Sequence, residues 1–274
     1  MSGVGSLGRT PYYVLTGGLA ILFMFPLLWS LIASVSPQGG TKQVHGFGLG
    51  NYVTLLNYGN GAPLYFLNSV IVSTLTVALT IAISLIGGYA FARFTFPGRD
   101  LLFLLTLGIL MVPLGSLLIP LYVLLNFLGQ QNSLFGLALV LTLFQLPFAI
   151  FMMRISFEAV PIELEESALV DGAGTLQILR RIFLPAVRPG IVTVGLFAFL
   201  AAWNDFIAPL ILINDDKKSP LPLAIATLRQ QTSFTVDYGA TEAGVVVMAV
   251  PCLLLFVFLQ RYYVRGFMSG AVKG

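Results

Sequence analysis

The chain has 274 residues, of which 57% are hydrophobic and 9% charged, and its formal net charge is +3. An ordinary soluble domain carries roughly a quarter charged residues, so most of this molecule cannot face water. The small net charge is no electrostatic footprint for nucleic acid.

Spanning a membrane takes about 20 mainly apolar residues, because each helical residue advances ~1.5 Å through ~30 Å of hydrocarbon. Runs of that kind fall at about 12–34, 65–91, 101–125, 133–154, 190–213 and 242–263. They predict an all-α membrane protein with six transmembrane helices.

The first run, YYVLTGGLAILFMFPLLWSLIA, is too long for a signal-peptide core and has no small-residue cleavage pattern after it, so it is expected to stay as a span. The segment that follows is polar and glycine-rich, with room for one short interfacial helix around Tyr52–Tyr58. Tyr52, Tyr58 and Tyr65 suit a headgroup zone. His45 stands alone as a histidine and cannot form a metal site by itself.

In the second run Gly87 and Gly88 permit close helix approach, as do Gly190 and Gly195 later in the chain. Pro113 and Pro120 interrupt the third run, and each removes a backbone donor and crowds the preceding turn. One kinked or locally unwound span is expected there, with two half-helices as the alternative.

Between the fourth and fifth runs lies a polar stretch, PIELEESALVDGAGTLQILRRIFLPAVRP. Pro161 suits a first helical turn, and Glu163, Glu165 and Glu166 then meet the positive end of the helix dipole. Leu164, Ala168 and Leu169, continuing towards Ala173 and Leu176, form an apolar edge. Gly172 ends this helix or lets another backbone approach. A second helix follows, with Leu176, Leu179 and Ile182 as its apolar edge, until Pro185 and Pro189 redirect the chain.

In the fifth run Asp205 lies in AFLAAWNDFIAPLIL, where an ionised group costs a few kcal/mol in lipid and must face protein or water. Asn204 and Asp205 either bridge neighbouring helices or line a pathway, where Trp203 and Asn204 could stack on and hydrogen-bond a sugar. Glu242 is expected to cap or anchor the sixth span, and the lone Cys252 is expected to be a buried apolar thiol.

Counting Lys and Arg by connection gives ten on one side, among them Arg9, Arg93, Arg154, Arg180 and Lys273, and four on the other: Lys42, Lys217, Lys218 and Arg229. The richer side is predicted to be cytoplasmic, which places both termini and the polar stretch there. No phosphate-binding loop ending in Gly-Lys-Ser/Thr occurs, so this chain is not expected to be an enzyme.

Glu166-Ser167-Ala168, then Gly172, then Ile182-Phe183-Leu184-Pro185 is similar to the loop signature of permease subunits of binding-protein-dependent ATP-binding-cassette (ABC) importers. The likeness is to the maltose-permease-like carbohydrate class, and Ser167 stands where that class has alanine. GYAFARFTFPGRD, MVPLGSLLIPLYVLL, FLAAWNDFIAPL and QRYYVRGFMSGAVKG extend the resemblance over nearly the whole chain.

The resemblance implies one transmembrane permease domain over 1–274, with a family-like core near 65–264 and a cytoplasmic two-helix coupling loop over 157–189. Glu165, Glu166, Ser167, Ala168, Asp171 and Gly172 would couple to an ATPase. The implied partners are a homologous permease subunit forming a heterodimer, two ATP-binding subunits that carry ATP and Mg, and an extracytoplasmic solute-binding protein delivering a carbohydrate across the inner membrane. No cofactor is expected on this chain. An ion-coupled secondary transporter is the alternative, expected to show paired intramembrane acids.

Overall fold

Backbone in a layer without water must close its own hydrogen bonds, and in the computed structural model every regular element among the described residues is a helix. The structure describes residues 10–37, 46–231 and 237–271, with side chains over 12–37, 46–229 and 237–260. Arg9, Lys42, His45 and Lys273 lie outside the described residues, as do the side chains of Arg261 and Arg265.

Among the described residues four helices are long and apolar enough to cross a membrane: α1 (Thr10–Val35), α3 (Ala62–Arg93), α6 (Leu134–Glu158) and α13 (Tyr238–Ala271). Two bent pairs among the described residues, Arg99–Met111 with Leu114–Phe127 and Thr175–Ala186 with Arg188–Asn204, raise the number to as many as six. One is α4 (Arg99–Gly108), prolonged by a 3₁₀ turn to Met111, with α5 (Leu114–Phe127), and the two helices meet at 104°. The single kinked span expected over 101–125 is thus divided at Val112 and Pro113. Val112 precedes a proline and is extended, at φ −82° and ψ 126°, as the proline ring requires of its predecessor. Pro120, by contrast, is accommodated inside α5.

The chain forms two compact units. The first comprises residues up to Ala62 and Ile225–Pro251. In it the short helix α2 (Gly50–Leu56) satisfies orphan carbonyls at the end of α1: Asn51 Nδ2 donates to Ser34 O and Ser36 O, both at 2.9 Å. The Tyr52 hydroxyl is 2.9 Å from Ser34 Oγ, and Tyr52 and Tyr58 pack on a core of Leu55, Ala62, Leu228, Ala240 and Ala243. The start of α13 is capped by Asp237, whose Oδ1 accepts from Ala240 N at 3.0 Å. Glu242, four residues into the helix, does not take the capping role expected of it.

The second unit comprises Pro63–Ala224 and the chain from Cys252. Its centre is α6, half of whose apolar window is buried, against 11% in α1 and α13. Helices α4, α5, α10 (Arg188–Asn204) and α11 (Ile207–Leu212) contact α6. Two glycines set the approach of its neighbours. A Cβ on Gly88 of α3 would lie 2.5 Å from Met153 Cβ, and one on Gly190 of α10 would lie 2.2 Å from Ser156 Oγ. A Cβ would be less crowded on Gly87, at 3.4 Å from the Ile150 side chain, and on Gly195, at 3.2 Å from the Ile81 side chain of α3.

At one end of this unit the segment from Asn214 to Ser219 is held by its neighbours rather than left free. Asn68 Nδ2 donates to Lys217 O and Ser219 O at 2.9 and 3.0 Å, and Tyr65 OH donates to Asp216 Oδ2 at 2.6 Å. Asn132, left-handed at φ 51°, accepts from the backbone of Asn214 and Asp215. Tyr65 is only 1% exposed, so its ring packs on protein at this end of the unit.

Candidate functional site

The polar stretch folds as two short helices. The first, α7 (Ile162–Val170), begins after Pro161 with Glu163 and Glu165 in its first turn. It ends in a Schellman motif: Ala173 N donates to Ala168 O at 2.9 Å and Gly172 N to Leu169 O at 3.0 Å, with Gly172 left-handed at φ 79°. Ala168 and Ala173 then touch the same core, the apolar contact that accompanies this motif. A Cβ on Gly172 would meet no atom within 4 Å, so the turn stands in open space.

The second helix starts with α8 (Thr175–Ile178), widens into a π-helical turn over Leu179–Phe183, and closes with α9 (Leu184–Ala186). Pro185 has no N–H to give the carbonyl four residues back and crowds it, and the wide turn lies immediately before it. The extra residue shifts the phase. The buried edge is Ile178, Phe183 and Val187, at 2% exposure or less, whereas Leu176 is 66% exposed. The expected edge of Leu176, Leu179 and Ile182 is corrected accordingly: Leu179 and Ile182 pack at the margin of the core and Leu176 faces out.

On α7 the side chains separate into two faces. Glu165 and Ala168 turn inward; Glu166, Ser167 and Asp171 are exposed, together with Leu164, Leu169 and Val170. The apolar edge expected at Leu164 and Leu169 is thus uncovered in this chain. Ser167 accommodates its departure from alanine by donating its hydroxyl to Glu163 O at 2.7 Å, within its own helix.

A second candidate region lies at the end of α10. Trp203 is 1% exposed, edge-on to Phe66 and stacked on Phe199. Asn204 donates to Leu200 O within its own helix, and Asp205 Oδ1 accepts from Ala208 N at 2.8 Å, capping α11 where the chain breaks. The expected bridge to a neighbouring helix is carried by Asn204, whose side chain hydrogen-bonds the Cys252 thiol of α13.

Asn204 and Asp205 also line a cavity of about 280 Å³ with Leu141, Phe144, Gln145 and Leu200. Trp203 is not brought to it. Gln145 escaped the sequence reading, although an amide in the apolar run LFQLPF, two residues before Pro147, was the available signal. Among the described residues no group of three or more His, Cys, Asp or Glu could hold a metal ion.

Residues 84–268 match the family described as the binding-protein-dependent transport system inner membrane component. The chain is 34% identical to the probable ABC transporter permease protein YurM of Bacillus subtilis, over 98% of this chain and 90% of that protein. It is also 34% identical to the diacetylchitobiose uptake system permease protein NgcG of Streptomyces coelicolor, over 93% and 85% of the two chains. Its fold is similar to that of a chain from a bacterial ABC transporter involved in importing the acidic polysaccharide alginate, with TM-score 0.80 and 20% identity over 96% of this chain and 100% of that one. An exposed acidic helix closed by a left-handed glycine, on a bundle of apolar helices with this ancestry, places the chain in the binding-protein-dependent inner membrane component family, as a permease component of an ABC-type importer.

Proposed function

We propose that this subunit moves a carbohydrate, a sugar or short oligosaccharide, inward across the cytoplasmic membrane. The reading is supported by the loop signature of the carbohydrate class at Glu166–Pro185 and by the diacetylchitobiose system among its relatives. Family membership favours ATP as the driving force over the ion-coupled alternative, with hydrolysis on separate nucleotide-binding subunits. Six spans with both termini and the loop 157–189 in the cytoplasm follow from the Lys and Arg distribution, with the α4–α5 and α10–α11 segments each taken as one broken span.

The observation that carries the mechanism is the uncovered face of α7. Glu166, Ser167 and Asp171 stand beside exposed Leu164, Leu169 and Val170, and the Gly172 turn has open space around it. A charged rim around exposed apolar side chains suits a protein groove better than an anionic leaflet, which would repel the glutamates. Closure of two ATP-binding subunits would displace the loop, and α6 and α10, which flank it in sequence, would carry the displacement towards the cavity at Gln145, Asn204 and Asp205. A solute-binding protein and a homologous permease partner complete the assembly. Solute acts on such an equilibrium only through a difference in affinity between its two states.

Two measurements test this. Cysteines at Glu166 or Ser167, in the intact complex, should crosslink to an ATPase subunit; absence of any such crosslink in an active complex rejects the docking role. A ligand screen of the cognate solute-binding protein followed by reconstituted uptake should return carbohydrates, and a screen returning amino acids alone rejects the substrate class.

A further inference from the structure

The guanidinium of Arg93, at the last position of α3, is joined to three other elements. Its side chain is 8% exposed. Nη2 donates to Phe157 O at 2.7 Å and to Val160 O, two carbonyls at the end of α6. Its Cζ lies 4.7 Å over the ring of Phe183, in the π-helical turn, and Nη1 lies 3.7 Å from Glu165 Oε2 on α7. Tyr89, one turn back on α3, packs edge-on against Phe157 and Phe183 and walls the same space.

We propose that Arg93 is the positioning residue of the loop: it fixes both loop helices to the ends of α3 and α6, with Glu165 as its handle on α7. This rests on the reading of the loop as the element that docks on the ATPase, and it assigns the two neighbouring glutamates opposite tasks. Glu165 holds the loop to its own chain, and Glu166 faces the partner.

A charged group this deeply buried is tolerated because helix-end carbonyls, an aromatic face and a carboxylate surround it. A planar fork can serve all of them at once, which a lysine ammonium cannot. The joint also has groups in reserve. Arg93 Nε and the Tyr89 hydroxyl are buried without a hydrogen-bond partner. Such orphans call for a reason, and here they supply one: the guanidinium can exchange partners as the loop shifts.

The test uses the complete importer in liposomes, in a Cys252→Ser background, with spin labels at Ser167→Cys and Leu143→Cys and with MgATP as the ligand. The unaltered joint should give one narrow distance peak that moves when MgATP binds. Glu165→Gln should lower the ratio of docked to displaced loop about threefold or more, and Arg93→Gln further, with thermal midpoints for Glu165→Gln unchanged. Arg93→Lys should recover part of the narrow peak. Glu163→Gln, at an exposed first-turn acid outside the joint, should leave the peak as it was.

A peak unaffected by Glu165→Gln, or disturbed equally by Glu165→Gln and Glu163→Gln, overturns the proposal even if Arg93 variants prove too unstable to purify. A thermal midpoint lowered with the peak intact also overturns it, because that is the mark of a merely structural pair. Failure of the docking role would be seen separately, as an intact peak in a complex that never crosslinks to an ATPase.

Discussion

Gly88 and Met153 are packed so closely that a single added methyl group on the glycine would lie 2.5 Å from the Met153 Cβ and 3.0 Å from the backbone of α6. Backbone cannot yield as a flexible side-chain tip can. Gly88→Ala is therefore expected to separate α3 from α6 and cost about 1–3 kcal/mol, read as a lower thermal midpoint in detergent. The same change at Gly87, whose nearest neighbour is the Ile150 side chain at 3.4 Å, should be close to neutral.

Gly172 presents the opposite case, with a strained backbone and empty surroundings. Gly172→Ala should cost about 1–2 kcal/mol for the left-handed conformation, and Gly172→Asn less. A bulky Gly172→Trp takes on the same left-handed backbone cost as Gly172→Ala. Its additional effect is expected only in the assembled importer, as lost assembly or as ATP hydrolysis without transport. Unchanged uptake by the tryptophan variant would remove Gly172 from the docking surface.

Asp205 caps α11 and also faces the cavity, and two substitutions separate those roles. Asp205→Asn keeps a capping oxygen and should leave stability nearly unchanged, while Asp205→Ala should lose about 1 kcal/mol. If the cavity belongs to the solute pathway, both variants should alter the KM for uptake. If only the alanine variant does so, the residue matters through its cap.

Asn68 is 5% exposed and serves two carbonyls of the segment above it. Asn68→Ala would leave Lys217 O and Ser219 O without that donor, at a cost of about 1–3 kcal/mol. Amide hydrogen exchange over residues 214–221 should accelerate, while exchange in α7 remains unchanged.

The helical class and the two-helix loop hinged at Gly172 were legible because both follow from local rules: apolar length, acidic first turns, and a glycine where a left-handed residue is needed. The spacing from Glu166 to Pro185 also pointed to the family. What escaped was set by phase and by distant partners. A π-helical turn before Pro185 moved the buried edge from Leu176 to Ile178 and Phe183, and no helical wheel drawn at a constant period anticipates that. Glu165 and Glu166 look equivalent in sequence, and only Arg93, 72 positions before Glu165 in the numbering, separates them. Trp203 read as a sugar platform beside Asn204, but it is 1% exposed, stacked on Phe199 and packed edge-to-face with Phe66. Asp237 was available as a cap three residues before Ala240 and was passed over for Glu242.

The turn at Val112 and Pro113 bears on how the protein is made. Helix α5 has 14 residues and α4 only 10 before its 3₁₀ turn, so either alone reaches about 15–21 Å, short of the ~30 Å hydrocarbon thickness. Neither can partition into the bilayer as an independent stop-transfer segment during synthesis. The pair has to enter jointly and wait for α6, synthesised afterwards, to shield the break. In chains ended before Leu134 and released from the ribosome, a cysteine at Leu104 should therefore stay reactive to a membrane-impermeant maleimide, whereas chains extended through Glu158 should protect it.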